Sequence, residues 1–221
     1  LEFEYVLKVE GISKAFPGTM ALSKVRMEVR PGEVHALVGE NGAGKSTLMN
    51  IISGVFLPDE GRIIFAGSPV RFSSPSEAQA AGIGFVHQEL ALCPHISVAE
   101  NIFMGRYEKG PLGFIKKNKM FDDTRQLLSA FKTTIRPEDK TGDLNPADQQ
   151  IVEIAKSLSL KCRLLILDEP TSSLSEGETE ILFGIIRELK RQGISVLYIS
   201  HRIAEIFEIC DRVTVFRDGC Y

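Results

Sequence analysis

The chain has 221 residues, of which 43% are hydrophobic and 25% charged, and its formal net charge is -3. That length buries about 70% of the unfolded surface, enough for a core without disulfide or metal staples. With no basic excess, the charge balance argues against a nucleic-acid partner, and the lysines Lys116, Lys117 and Lys119 read as a solvated loop. No stretch approaches the roughly 20 apolar residues of a membrane-spanning helix. The start, residues 1–8, alternates charged and apolar side chains and does not resemble a signal peptide. Cys93, Cys162, Cys210 and Cys220 form no C-x-x-C pair, so free thiols in a reducing, cytosolic compartment are expected.

In chain order, the first part reads as short strands. Residues 22–29 carry apolar side chains at Leu22, Val25, Met27 and Val29, and Pro31-Gly32 makes the following turn. Residues 34–38 form a mostly apolar run of buried-strand type, and residues 61–65 follow the turn signal Pro58-Asp59-Glu60-Gly61. These segments suggest a small antiparallel sheet beside a parallel one.

The middle of the chain is expected to be helical. Ser74-Pro75-Ser76-Glu77 offers a cap, a first-turn proline and an acid three residues on. Ser97-Val98-Ala99-Glu100 repeats the capping box, with Gly105 as the stop signal. Residues 119–131 carry Phe121, Leu128 and Phe131 at helical spacing, and Asn145-Pro146 opens a helix with Ile151, Ile154, Ala155 and Leu158 on one face.

The last third alternates. Residues 164–167 are a wholly apolar strand, and Ser175 and Glu178 cap a helix that Gly193 ends. Residues 195–199 form the next strand, a helix begins near Ile203, and residues 212–216 read as a final strand. Strands separated by single helices imply a parallel α/β sheet. The terminal Asp218-Gly219-Cys220-Tyr221 follows that strand directly and reads as a cut through a longer polypeptide.

The sharpest chemical signal is Gly39-Glu40-Asn41-Gly42-Ala43-Gly44-Lys45-Ser46, followed by Thr47, which matches G-x-x-x-x-G-K-[ST] at every fixed position. Glycines allow the tight turn that points successive backbone N–H groups at phosphate oxygens. The helix beginning near Gly44 adds its positive end. Lys45 is placed to reach the terminal phosphates of a nucleotide, and the Ser46 hydroxyl to ligate Mg²⁺. A buried strand before the loop and the apolar Leu48, Ile51 and Ile52 after it supply the context the pattern requires.

A second signal is the strand that ends in Asp168-Glu169. In open α/β sheets ligands lie beyond the carboxyl ends of the strands. Asp168 is therefore expected to face the phosphate loop and hold Mg²⁺, directly or through water. Glu169 is expected to position the water that attacks the terminal phosphate.

With these motifs in place, the chain resembles the ABC ATPase family over essentially its full length. The resemblance implies a P-loop NTPase fold with a mainly parallel core sheet, an N-terminal antiparallel β subdomain and an α-helical subdomain. It gives one domain over residues 1–221, with residues 1–87 and 161–221 as catalytic core and residues 88–160 as helical subdomain. It also implies that Phe16 stacks on adenine and that Gln88, in Phe85-Val86-His87-Gln88-Glu89, touches Mg²⁺ and the attacking water. His201, in Tyr198-Ile199-Ser200-His201-Arg202, resembles the switch histidine that senses the terminal phosphate, and Ser172-Ser173-Leu174-Ser175 falls at the D-loop. His35, His87 and His95 have no counterpart role and read as ordinary side chains.

The runs Gln88-Glu89-Leu90, Val98-Ala99-Glu100-Asn101-Ile102-Phe103 and Val152-Glu153-Ile154-Ala155-Lys156 resemble more narrowly the first cassette of bacterial sugar importers of the ribose, galactose and xylose type. Membership would imply ATP and Mg²⁺, transmembrane permease subunits, a second cassette and, indirectly, a sugar-binding protein. It would place the chain in the cytoplasm, peripheral on the inner face of the membrane, as the N-terminal cassette of a tandem protein. The family's Leu-Ser-Gly-Gly-Gln signature is altered here to Leu144-Asn145-Pro146-Ala147-Asp148. A regulatory cassette with weak hydrolysis, or a non-transport ABC ATPase, stands as the alternative.

Overall fold

The computed structural model describes residues 3–110, 113–131 and 133–220. Leu1, Glu2 and Tyr221, at the ends of the segments read above, lie outside the described residues. In chain order the elements are β1 (Leu7–Phe16), β2 (Thr19–Val29), β3 (Val34–Gly39), α1 (Lys45–Ile52), β4 (Glu60–Phe65), β5 (Ser68–Val70), α2 (Pro75–Ala81) and β6 (Ile83–Val86). They continue with α3 (Val98–Ile102), α4 (Lys117–Ser129), α5 (Pro146–Leu158), β7 (Leu164–Asp168), α6 (Glu176–Arg191), β8 (Ser195–Ile199), α7 (Ile203–Ile209) and β9 (Arg212–Phe216). Two sheets result, with strand orders β2-β1-β4-β5 and β6-β7-β8-β3-β9. The first is antiparallel throughout and the second parallel throughout.

The central strands of the parallel sheet are covered on both faces, as their βαβ connections require, whereas edge strand β9 leaves Val213 and Val215 exposed. Successive side chains of β7 point into different halves of the core. Leu164 and Ile166 join the half shared with α1 and the antiparallel sheet, whereas Leu165 and Leu167 join the half built from α3, α5 and α6. β8 repeats the division, Leu197 and Ile199 one way, Val196 and Tyr198 the other. Such strands read as unbroken apolar runs, which is why residues 164–167 and 195–199 are legible as strands.

β1 has no counterpart in the sequence reading. Its buried Leu7, Val9 and Ile12 do not keep a period of two, because register shifts interrupt its pairing with both neighbours. Gly11 sits at the irregularity with φ 64°, and a Cβ on Gly61 would come within 2.4 Å of the Gly11 carbonyl oxygen. Bulges of this kind break the alternation on which strand recognition rests. β5 and β6, only 3 and 4 residues long, are likewise too short to show a period. In β6, a Cβ on Gly84 would lie 2.9 Å from Ser157 Cβ, so α5 packs directly on that strand's backbone.

The capping signals hold with adjustments. Ser97 with Glu100, and Ser175 with Glu178, form complete capping boxes. Ser74 caps α2, but Glu77 reaches back to the N–H and hydroxyl of Ser73, one residue earlier than a capping box requires. α3 stops at Ile102, before Gly105, and Arg106 Nη2 donates to the Ile102 carbonyl. In α4 the buried face is Met120, Thr124 and Leu128, with Phe121 only half-buried. The four cysteines are free, and no helix among the described residues is long and apolar enough to cross a membrane.

A polar cluster anchors the far end of the parallel sheet. Buried His35 places Nδ1 2.7 Å from Glu33 Oε1 and Nε2 2.7 Å from Thr214 Oγ1, and Arg212 Nη1 lies 3.4 Å from the same Glu33 oxygen. Burial pushes the Glu33 carboxyl upward, but its hydrogen bond to His35 and the charges of His35 and Arg212 hold it, on balance, below the usual 4.5. A depressed folded-state value means the stabilisation is present above the unfolded value and is lost as pH falls through the folded one. Denaturant unfolding between about pH 6 and pH 3 should therefore show stability falling more steeply with acid in the wild type than in Glu33→Gln.

Candidate functional site

The phosphate-loop candidates leave the carboxyl end of β3 and run into α1. Gly44 is the N-terminal cap of α1 at φ 98°, and no side chain caps the helix, so its first N–H groups stay available. Glycine at 44 is required twice. The positive φ disfavours any other residue, and an added Cβ would lie 2.6 Å from the Ala21 carbonyl oxygen. Gly39 is held for a different reason, since a Cβ there would come within 2.5 Å of the Phe216 carbonyl oxygen on β9. Lys45 Nζ donates to the carbonyls of Gly39 at 2.6 Å and Glu40 at 3.0 Å, which keeps the ammonium at the mouth of the loop.

A cleft of about 610 Å³ opens over this loop. Asn41, Gly42, Gly44, Lys45, Ser46, Thr47, Gln88, Asp168 and Glu169 line it, so most of the predicted site residues share one cavity. Asp168 is the last residue of β7 and pairs with Ile199 of β8. Burial raises its carboxyl from its ordinary value, the Glu169 charge adds to the rise, and His87 and Lys45 oppose it. Glu169 begins the turn that follows, at φ 47°, with its N–H donating to the Ile199 carbonyl at 2.9 Å. Its Oε1 lies 3.1 Å from His201 Nδ1.

His201 itself is largely exposed and lines a neighbouring depression with Gly39 and Glu40. Phe16 is not part of the cleft lining. It ends β1 opposite Thr19, which does line the cleft, and packs edge-on against Phe56 with ring centroids 5.4 Å apart. His87, adjacent to Gln88, stacks on Phe85 at 4.1 Å. Glu40 and Ala43 shape the loop without lining the cleft, through the Ala43 N–H to Glu40 carbonyl hydrogen bond of 3.1 Å.

Thr19, Met20, Ala21, Asp218 and Gly219 also line the cleft and were missed. No motif spacing marks them. Only the Asp-Gly pair at 218–219 carries a turn signal, and its Gly219 carbonyl accepts from the Ser23 N–H at 2.8 Å, tying that turn to β2.

The donor set suits a hard divalent cation. Ser46 hydroxyl, Gln88 amide and Asp168 carboxylate all offer oxygen, and among the described residues there is no cluster of three or more His, Cys, Asp or Glu side chains. Mg²⁺ takes one or two protein oxygens together with phosphate oxygens and waters, whereas zinc favours sites that include imidazole or thiolate.

The altered segment opens α5. Asn145 caps the helix, its Oδ1 accepting from the Asp148 N–H at 2.9 Å while its Nδ2 donates to Asp148 Oδ2 at 2.9 Å. Pro146 has no N–H, and Ala147 is buried.

A family model described as ABC transporter matches residues 22–172, a span that runs from β2 to just beyond Asp168 and Glu169 at the end of β7 and the start of its turn. The chain belongs to the ABC transporter family. It is 55% identical over 215 residues to the putative ribose/galactose/methyl galactoside import ATP-binding protein 3 of Burkholderia cenocepacia (strain HI2424), covering 97% of this chain and 41% of that protein. It is 51% identical over 218 residues to the ribose import ATP-binding protein RbsA 2 of Rhizobium meliloti (strain 1021), covering 99% of this chain and 42% of that one. The chain thus spans about two fifths of the length of these curated relatives. Among solved structures it is similar to the ADP conformation of MJ1267, an ATP-binding cassette of an ABC transporter, with a TM-score of 0.86 and 28% identity over 99% of this chain and 89% of that one. The ABC cassette fold read from the sequence is therefore the fold observed.

Gly44→Ala should destabilise this ABC cassette by about 1–3 kcal/mol, since the substitution must both hold a strained φ and displace the Ala21 carbonyl. Equilibrium denaturation of the two forms measures the difference.

Proposed function

We propose that the chain is an ATP-binding and hydrolysing cassette that energises a membrane sugar importer. The observation that carries the nucleotide part is the convergence of the phosphate loop, Gln88, Asp168 and Glu169 on one cleft of about 610 Å³. The sugar-import part rests on relatives named for ribose and galactose import over 97% or more of this chain.

In this reading the N–H groups of residues 41–47 and the Lys45 ammonium hold the phosphates of ATP. Ser46, Asp168 and Gln88 would hold Mg²⁺, which would supply neutralisation of the phosphate charge. Glu169 accepts a hydrogen bond from the attacking water and orients it toward the terminal phosphate. His201, held beside Glu169, donates to the developing negative charge. Phe16, paired with the cleft residue Thr19, offers its ring to the adenine.

Residues 1–87 and 161–221 act as the catalytic core and residues 88–160 as a helical subdomain that contacts transmembrane permease subunits. A second cassette completes the assembly, and a sugar-binding protein delivers substrate from the other side of the membrane. The chain works from the cytoplasmic face. Closure on ATP acts as a population shift between open and closed pairs.

The α5 start weakens the contact this cassette offers to its partner's nucleotide. Asn145 has both polar atoms engaged by Asp148, and Pro146 contributes no N–H. One lost donor to a charged phosphate costs about 1.5–3 kcal/mol.

Lys45→Ala should lower ATP affinity roughly 10–100-fold, the worth of one charge-assisted contact, as read by equilibrium binding. Unchanged affinity would remove the cradle assignment. The double variant Asn145→Ser, Ala147→Gly should raise ATP hydrolysis in the assembled transporter, and an unchanged rate would show that the signature face does not limit turnover.

A further inference from the structure

The proposed chemistry uses side chains from two separate loops. Glu169 follows β7, His201 follows β8, and they meet at 3.1 Å. Strand pairing fixes the roots of both loops, through Asp168 opposite Ile199 and the Glu169 N–H to Ile199 carbonyl bond of 2.9 Å. Beyond the strand ends the backbone ladder stops, and something else must hold the loops together.

Directly beneath them lies a buried carboxylate that the reaction does not use. Glu205, in the first turn of α7, accepts from Tyr198 Oη at 2.7 Å, from Ser200 Oγ at 3.1 Å and from Arg202 Nη1 at 3.2 Å. Thr171 Oγ1 lies 2.8 and 2.9 Å from its two oxygens. Thr171 is two residues beyond Glu169, while Ser200 and Arg202 flank His201. Ser200 Oγ also accepts the Arg202 N–H at 3.0 Å, closing a small ring around the His201 backbone. Thr171, Tyr198, Ser200 and Glu205 are all buried, so these bonds are shielded from water. The phenol of Tyr198, buried against this carboxylate, is pushed well above its usual value and stays a donor.

A buried carboxylate is costly to desolvate and is retained where several donors surround it. Here the donors come from both loops at once, and removing the carboxylate frees each loop to move independently. We propose that Glu205 is a positioning residue that clamps the Glu169 loop to the His201 loop, setting the separation of those two side chains. The catalytic half of this claim rests on the proposed ATP hydrolysis, whereas the clamping half concerns the chain alone.

The test compares Glu205→Ala, Glu205→Gln and Glu33→Gln. Glu33 is the control because it is a buried, hydrogen-bonded carboxylate at the opposite end of the same sheet. The imidazole resonances of His201 are followed by NMR of isotope-labelled chain without nucleotide, alongside ATP binding and turnover. Glu205→Ala should move the His201 signals in the direction that Glu169→Ala moves them, Glu205→Gln should move them less, and Glu33→Gln should leave them in place. Turnover should fall about 10–100-fold in Glu205→Ala, as expected of a displaced catalytic pair, with ATP affinity within about twofold of wild type. His201 signals unmoved in Glu205→Ala, or moved equally in Glu33→Gln, would overturn the clamp. A wild-type chain and transporter without ATP turnover would count against the proposed function, while the His201 signals still decide the clamp.

Discussion

The parallel pairing of β7 with β8 and of β8 with β3 is the constraint from which the site follows. Asp168 stands opposite Ile199, and Leu37 stands opposite Ile199 from the other side. Three loops therefore leave the carboxyl end of the sheet at nearly one level. They carry the phosphate loop, the acids Asp168 and Glu169, and His201. No side-chain interaction has to bring these groups together across the molecule, because hydrogen bonds between main chains do so. The strands are free to be wholly apolar, since their chemistry lies beyond their ends.

That arrangement leaves local geometry to finish the work. Gly44 turns the chain into α1 at φ 98° with its backbone close under Ala21, and Gly39 lies flat against Phe216. Substituting either glycine brings a methyl group into contact with a neighbouring strand's carbonyl. The β1–β2 hairpin and the 218–219 turn thereby become part of the site's wall, although neither carries a reactive group. The buried Glu205 extends the same logic past the last strand bond, where main-chain pairing can no longer align the loops.

Much of this was legible in the residues themselves. Parallel strands buried on both faces are written as apolar runs, and the phosphate loop and the Asp-Glu pair are written as contiguous motifs. The capping serines Ser97 and Ser175 and the cap Asn145 were readable because each contact spans only three residues. β1 was not, because a bulge at Gly11 destroys its alternation, and β6 was too short to show a period. The cleft wall from Thr19 to Ala21 and at Gly219 arises from contacts across some two hundred residues of sequence, which no local pattern encodes. The Glu205 cluster was invisible for the same reason, since its meaning depends on Thr171 lying 34 positions away.

The central claim is that main-chain N–H groups of the loop before α1 surround a triphosphate. Backbone amide resonances of the isotope-labelled chain, followed during titration with ATP and magnesium, test it most directly. Saturable shifts should concentrate on Gly42, Gly44, Lys45, Ser46 and Thr47, with weaker changes at Gln88 and Asp168. Amides of this loop that stay still at millimolar nucleotide would contradict the account.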